Sequence, residues 1–465
     1  MINTTTPPNL TDLTSNIGGE VISPEDSSYH EARKLYNGMI DKKPALIVRC
    51  TNALDVVSAI SFAKKNDLEI SVRSGGHSGA GLGLCDDGLA IDLSPMKGIL
   101  VDTEKKTARI ETGCTLGEID KKLHEYGLAL PSGIISTTGI GGITLGGGLG
   151  YLSRKCGLTI DNLLEAEVVL ADSSVVVTNK DEHPDLFWAL RGGGGNFGVV
   201  TSFVFRLHEI SEVYAGPMFW PIEQAKEAMV FYRDLMATAD NDLYGFFAFL
   251  NVPPGDPFPA HLHNQNVCGV VWNYTGPAEK REEVFAPIRA FGPPILDFVG
   301  PLPLPALQSM FDGLYPSGLQ WYWKSDFFTE LTDEAMAQFI KHGSKVPGLS
   351  TMHLYPVDGK AREVANDATA WEHRDARWAE VIVGVDADPE NKDLIINWCR
   401  NYYQATHPHA SGGTYVNFMM EEDQGRIEST YGNNMKRLTK VKTKYDPTNL
   451  FHINQNIKPE RTDAG

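Results

Sequence analysis

Cysteine is scarce: six in 465 residues, at Cys50, Cys85, Cys114, Cys156, Cys268 and Cys399, with no CxxC pair among them. The long, uneven gaps give no support to a zinc site or a redox dithiol, and buried reduced thiols are expected instead. Long hydrophobic runs are missing too. No stretch of about 18 apolar residues occurs, so no membrane-spanning helix is expected. The N-terminal MINTTTPPNLTDLTSNIGG has neither the basic nor the apolar region of a signal peptide. A cytoplasmic protein is therefore expected, and the Asn-x-Ser/Thr matches at Asn3, Asn9 and Asn273 carry little weight.

Positive charge is also in short supply. The chain has 41 Lys and Arg against 59 Asp and Glu, a formal net charge of −18. Such a balance argues against a nucleic acid, whose phosphates need a basic face, and against an anionic membrane surface. The lining of a nucleotidase is absent as well: no GxxxxGK[ST] occurs, and the glycine-rich segments hold almost no lysine. There is no internal repeat and no low-complexity segment.

What remains is an ordinary soluble globular composition, 42% hydrophobic and 22% charged. The length suggests about two or three domains. Residues 1–30 are polar and turn-rich. PALIVRC (44–50) then reads as a strand, LDVVSAISFAKKN (54–66) as an amphipathic helix, and LEISVRS (68–74) as a strand running into a glycine loop. LAIDLS and KTARIETG read as strands and LGEIDKKLHEYG as a helix closed by glycine. AEVVLA and SVVVTN form a strand pair about an Asp-Ser turn, PDLFWALRG a short helix, and VVTSFVFRL a further strand. After residue 207 aromatic segments such as YGFFAFLNV, LQWYWKSDFF and MHLYPVDG alternate with Pro-rich connectors. The division expected is 1–207, 208–410 and a tail 411–465, in an α+β protein.

The 45 glycines exceed the roughly 7% of an average chain and cluster in three loops: RSGGHSGAGLG (73–83), TTGIGGITLGGGLG (137–150) and RGGGGNFG (191–198). Glycine lets backbone amides approach a phosphate and adopt positive φ. One such loop is ordinarily a tight turn; three in one α/β region point to an elongated anionic cofactor. The literal GxGxxG match at 193–198 is preceded by a helix-like and followed by a strand-like segment, the reverse of a dinucleotide-binding fingerprint, and is set aside. His77, inside the first loop and four residues after Arg73, is either a turn histidine or a ring nucleophile bonded to the cofactor.

ISVRSGGHSGAGLG, PSGIISTTGIGGITLGGGLGYLSRKCGLTIDNLLEAEVVLADSSVVVTN, PDLFWALRGGGGNFGVVTSFVFRL and the tail YVNFMM…YDPTNLFHINQNIKP, in this order, resemble the FAD-linked oxidases of the vanillyl-alcohol oxidase superfamily, berberine bridge enzyme-like branch, of the bacterial 6-hydroxy-D-nicotine oxidase type. The resemblance implies a PCMH-type FAD-binding domain of two α/β subdomains, completed by the tail, and a substrate domain whose antiparallel sheet covers the flavin ring. It implies an 8α-histidyl bond from His77 to FAD, with Arg73, Ser74, Gly75, Gly76 and Ser78 wrapping the pyrophosphate through backbone and side-chain donors. Thr137, Gly139, Gly142, Gly147 and Gly150 would form a second wall, with Val200 near the adenine and Asn454 contributed by the tail. Many relatives carry a second, cysteinyl link; here Ile135 stands at that position and Ile143 at the accompanying histidine, so a single covalent link is expected. That loss weakens a sugar-oxidase reading. Thr138 precedes the GxGG glycines where relatives usually have an aliphatic residue, which leaves oxidase and dehydrogenase both open.

Tyr415-x-Asn417 matches the family's YxN pattern, which makes Tyr415 a candidate for assisting proton removal and Asn417 a pocket residue. Otherwise Tyr415 is a strand tyrosine with a satisfied hydroxyl. Thr351, His353 and Tyr355 alternate and so share one strand face, with His353 and Tyr355 as acid–base candidates if that face looks at the flavin. Of Trp321, Tyr322, Trp323 and Lys324, alternation allows either the tryptophans or Tyr322 with Lys324 to face a pocket. The tryptophans are taken as the pocket pair. Glu363 reads as a solvated charge. The activity expected is oxidation of an alcohol or amine by FAD, reoxidised by O₂. Its rivals are a dehydrogenase with another acceptor, a ring-closing or tailoring flavoenzyme, and a flavin binder without turnover. Homodimerisation is the default for such a chain.

Overall fold

The computed structural model describes residues 10–460; the sequons at Asn3 and Asn9 and the first part of the N-terminal segment lie outside the described residues. The first sheet has the order Glu20–Ile22, Leu46–Arg49, Leu89–Asp92, Ile70–Arg73. Leu46–Arg49 and Ile70–Arg73 both run parallel to Leu89–Asp92. A parallel pair needs a crossover, and the helix Ala53–Lys65 supplies one. That helix starts where it does because Asn52 Oδ1 accepts from the N–H of Leu54 and Asp55 at 2.8 and 3.1 Å. Its buried residues, among them Val56, Ala59, Ile60 and Ala63, pack on the sheet. The strand Glu20–Ile22 lies inside the segment that the sequence presents as polar and turn-rich.

The second sheet is antiparallel, in the order Ile99–Asp102, Thr107–Glu111, Val199–Arg206, Leu163–Val169, Val175–Asn179. The helix Leu116–His124 is opened by a capping box between Thr115 and Glu118. The tail returns to this unit: Leu438, Val441 and Tyr445 of the helix Met435–Tyr445 share a core with Leu186 and Leu190 of the helix Pro184–Leu190. The short strand His208–Glu209 pairs with Leu128–Ala129.

The largest sheet starts at Glu212. Its order is Leu296–Asp297, Glu212–Pro221, Asn266–Tyr274, Leu243–Asn251, Thr351–Pro356, Trp378–Asp386, Gln320–Phe328, with Gly300–Pro303 pairing along Glu212–Pro221. Strict alternation gives it two faces. Phe247, Phe249, Val270, Met352, Leu354 and Ile382 face a layer of helices that includes Ala225–Thr238, Asp333–Gly343 and Lys392–Thr406. Phe246, Ala248, Val271, Tyr355, Val381 and Val383 point the other way, towards the glycine loops. The functional cavity lies between that second face and the loops.

Candidate active site

A cavity of about 410 Å³ separates the glycine loops from the open face of the large sheet. Arg73, Ser74, Gly75, Gly76, His77, Ser78, Gly139, Gly142, Val200 and Asn454 all line it. So do Tyr415, Asn417, His353, Tyr355, Thr351, Trp321 and Trp323. Thr137 takes part through His77, with its Oγ1 3.0 Å from the imidazole Nε2. Gly147 and Gly150 do not line the cavity, contrary to the expectation drawn from the resemblance. The helix Ile140–Gly146 ends at Gly147, where φ is 134°. A Cβ at Gly147 would stand 3.1 Å from Trp371 and 3.2 Å from Tyr415, and one at Gly150 would stand 1.9 Å from the Ser132 carbonyl. These two glycines permit close chain packing behind the wall.

The first two loops are pressed together: a Cβ at Gly75 would lie 2.3 Å from the Gly139 nitrogen. Gly76, at φ 69°, turns the chain so that His77 enters the cavity. The imidazole stacks on Tyr36 at 3.9 Å, and Tyr36 stacks in turn on Trp321 at 4.9 Å. Burial pulls the His77 imidazole down to about 4, so at neutral pH it is the uncharged, nucleophilic form.

Several side chains expected to wrap a pyrophosphate instead hold the loop itself. Arg73 Nη1 donates to the Ala32 carbonyl, and its Nε lies 3.9 Å from Asp92 Oδ1. Ser74 Oγ donates to the Thr112 carbonyl at 2.6 Å, and Ser78 Oγ accepts from the Leu82 N–H at 3.3 Å. The cavity wall here is backbone and glycine. An added Cβ at Gly142 or Gly195 meets no atom within 4 Å, so both positions open onto free space. Thr112 Oγ1 and Asn454 Oδ1, on two cavity-lining residues, are buried without a hydrogen-bond partner among the described residues. Bare backbone and unpaired polar atoms along one wall fit an elongated, phosphate-bearing group such as FAD.

Against the second glycine loop, the hydroxyl of Tyr415 accepts from the Gly148 N–H at 2.8 Å and from Asn417 Nδ2 at 3.0 Å. Burial pushes this phenol up, and the two donors oppose that rise. His353 Nδ1 lies 2.6 Å from the Tyr355 hydroxyl. Burial pulls the His353 imidazole down to about 3. The strand Gln320–Phe328 turns Trp321 and Trp323 to the cavity. Tyr322 and Lys324 point to the other side, where Lys324 Nζ pairs with Asp423 and Glu422 at 2.6 Å each. Glu363 is exposed and paired with Lys360 at 2.6 Å. Tyr36, Phe246, Tyr315 and Phe418 also line the cavity and carry no sequence signal that singles them out, save the alternation that places Phe246 on one of two faces.

The model of the FAD binding domain matches residues 44–179, which hold the first two glycine loops, and that of the berberine and berberine-like family matches residues 414–458, which hold Tyr415, Asn417 and Asn454. A FAD-linked oxidoreductase of Dictyostelium discoideum is 33% identical over 457 residues, 97% of each chain. The (R)-6-hydroxynicotine oxidase of Paenarthrobacter nicotinovorans is 42% identical over 206 residues, 44% of this chain and 45% of that one. The crystal structure of 6-hydroxy-D-nicotine oxidase from Arthrobacter nicotinovorans superposes with a TM-score of 0.85 at 27% identity, over 96% of this chain and 98% of that one. The likeness runs along the whole length, and the chain belongs to the FAD-dependent, berberine bridge enzyme-like oxidoreductases of the vanillyl-alcohol oxidase superfamily.

Proposed function

We propose that the protein oxidises an alcohol or amine, passes the electrons to O₂, and holds FAD by one covalent bond from His77. When bound, FAD supplies the acceptor for two electrons and the hydrogen of the substrate C–H, and its reoxidation by O₂ gives H₂O₂. His77 suits attachment because it is uncharged, fixed by Thr137 and stacked on Tyr36. A single bond is supported by the cavity lining: Ile135 and Ile143 contribute to it, and no cysteine does. Tyr415, as its phenolate, receives the substrate's O–H or N–H proton. Two hydrogen bonds reach its oxygen, from Gly148 and Asn417, and both favour the phenolate. That doubly supported hydroxyl on the cavity wall is the observation that carries the reading. His353 and Tyr355 orient the substrate. The oxidase names of relatives speak for O₂. The six unpaired cysteines, five of them buried, support a cytoplasmic location.

The test is flavin fluorescence of the denatured protein band for wild type and His77→Ala, followed by donor-dependent H₂O₂ formation in air. A fluorescent wild-type band that the variant loses, with H₂O₂ formed, supports the proposal. A dark wild-type band overturns the covalent bond. Turnover that needs an added acceptor makes the protein a dehydrogenase, and products beyond two-electron oxidation make it a ring-closing enzyme.

A further inference from the structure

The strand register lets the cavity face of the large sheet be read row by row. His353 stands opposite Ala248 and Val381, Ala248 opposite Gly269, and Gly269 opposite Phe219. All five line the cavity. The middle of this row therefore presents one methyl group and one hydrogen, between an imidazole and a phenyl ring. A Cβ on Gly269 would stand 2.4 Å from the Phe219 ring, so that ring lies across the glycine and makes a flat apolar floor. The row on one side supplies Phe246, whose ring is 4.8 Å from that of His353.

Charge is missing from this space. Among the described residues, the cavity is lined by no aspartate, glutamate or lysine, and the one guanidinium among them, Arg73, is held by Ala32 beneath the first glycine loop. An ion seated on the sheet would lose its water without gaining a partner. Along this row hydrogen-bonding capacity is nearly as thin, although the buried Nε1 atoms of Trp321 and Trp323 elsewhere on the wall are free to donate. Thr351 Oγ1 already donates to the Phe249 carbonyl at 2.9 Å, and His353 and Tyr355 are paired with each other. A molecule with many hydroxyls laid along the row would leave most of them unsatisfied there, at a cost for each.

We infer that the substrate of this site is an uncharged molecule with a flat, aromatic body, seated over Ala248 and Gly269 with its one polar group against the His353–Tyr355 pair. The inference rests on reading the cavity as the active site of a flavin oxidoreductase. Carboxylates are disfavoured by the unpaired burial they would suffer, and an oligosaccharide laid along the row by finding only the His353–Tyr355 pair there. An amine substrate enters as its free base.

The experiment is titration of the oxidised holoenzyme with benzyl alcohol, biphenylylmethanol, a carboxylated benzyl alcohol and cellobiose, followed by the flavin absorbance. Biphenylylmethanol is expected to perturb the spectrum with a Kd at least about tenfold below that of benzyl alcohol, because its second ring covers the floor. The carboxylate and the disaccharide are expected to leave the spectrum unchanged. Ala248→Leu, which fills the row, is expected to remove the advantage of the second ring while benzyl alcohol still binds. Cellobiose or the carboxylate binding within about threefold of biphenylylmethanol overturns the inference; so does an unchanged preference in a folded Ala248→Leu protein. The wild-type panel decides the matter even if that variant fails to fold. Purified protein without flavin absorbance counts against the enzyme reading instead, and the same four probes are then followed by quenching of Trp321 and Trp323, which line the cavity.

Discussion

The Nδ1 atom of His353 lies 2.6 Å from the hydroxyl of Tyr355, two residues further along the same strand. The rings meet edge to face, 5.5 Å apart and at 86°. Burial drives the two groups in opposite directions, the imidazole down to about 3 and the phenol up. Both neutral forms are favoured, and they share one proton across a short contact. His353 is thus a fixed polar contact on an apolar wall, and a base of ordinary histidine strength is not available there. The proposed function therefore gives proton removal to Tyr415, whose oxygen accepts two hydrogen bonds that favour its phenolate.

The same shift fixes a pH dependence of stability. In the unfolded chain a histidine titrates near about 6.5, well above the folded value of about 3. As the pH falls below the unfolded value, only the unfolded chain takes up the proton, so stability is lost on acidification. Between about pH 7 and about pH 5 the loss attributable to this residue is about 2 kcal/mol. Denaturant unfolding at both pH values should show wild type losing that much more than His353→Gln. Equal losses would show that His353 is protonated as readily in the fold as out of it.

Tyr415→Phe separates chemistry from packing. The substitution removes the acceptor of the Gly148 N–H and of Asn417 Nδ2, which costs about 1–3 kcal/mol of stability. If the hydroxyl also takes the substrate proton, anaerobic flavin reduction slows by about 10²–10⁴-fold. A protein that is less stable yet reduced at the wild-type rate would leave Tyr415 a structural residue.

Two glycines of the cofactor wall should respond to alanine in opposite ways. At Gly75 the new methyl meets the Gly139 backbone at 2.3 Å, which only a displacement of both loops relieves. Gly75→Ala should therefore lower the unfolding temperature and empty the flavin site together. At Gly142, within the helix Ile140–Gly146, the methyl meets nothing and points into the cavity. Helix propensity favours alanine there by about 1 kcal/mol, so Gly142→Ala should unfold no earlier than wild type. Its flavin-to-protein absorbance ratio should nevertheless fall. Full flavin content in Gly142→Ala would mean that the second loop is not part of the wall.

How much of this was legible beforehand depends on whether a feature is local. The strand LEISVRS running into RSGGH, the capped helix after Asn52 and the alternation of Thr351, His353 and Tyr355 are local patterns, and each has its place in the structure. Alternation also set Trp321 and Trp323 on one face, but which face met the cavity depended on Glu422 and Asp423, about a hundred residues on, which draw Lys324 to the other side. Gly147 and Gly150 share the glycine-rich spacing of the true wall, and sequence does not distinguish a glycine facing a ligand from one facing the Ser132 carbonyl. Tyr36, stacked on His77, sits in a segment without periodicity and had no signal at all. Arg73 lines the cavity, yet its guanidinium is engaged by Ala32, a contact across 41 residues that no local pattern reveals.

The tail that carries Tyr415 is fastened to the large sheet by a buried charge. Asp326 has a side chain with no solvent exposure, bonded by Arg426 Nη2 and 2.8 Å from His407 Nδ1. Arg426 also donates to the carbonyls of Ser325 at 3.1 Å and Gly413 at 3.0 Å, two residues before Tyr415. Burial pushes the Asp326 carboxyl up to about 6 even with the guanidinium beside it, and Glu380 nearby is pushed up as well. Arg426→Met removes the cation and keeps the bulk, which leaves a buried carboxylate without its main partner. At neutral pH the expected cost is about 3–5 kcal/mol. In the variant the folded Asp326 holds its proton to a still higher pH, above the unfolded value of about 3.9. The folded state then binds more protons than the unfolded one, so the deficit shrinks as the pH is lowered. Denaturant unfolding at about pH 8 and about pH 5 checks the sign: the gap to wild type should be smaller at the lower pH. Loosening the Gly413 anchor should also slow anaerobic flavin reduction more than it weakens binding of a neutral aromatic probe, since the sheet that holds the probe is untouched. A deficit independent of pH, with reduction unimpaired, would show that Arg426 contributes packing alone and that Tyr415 is positioned by its own contacts to Gly148 and Asn417.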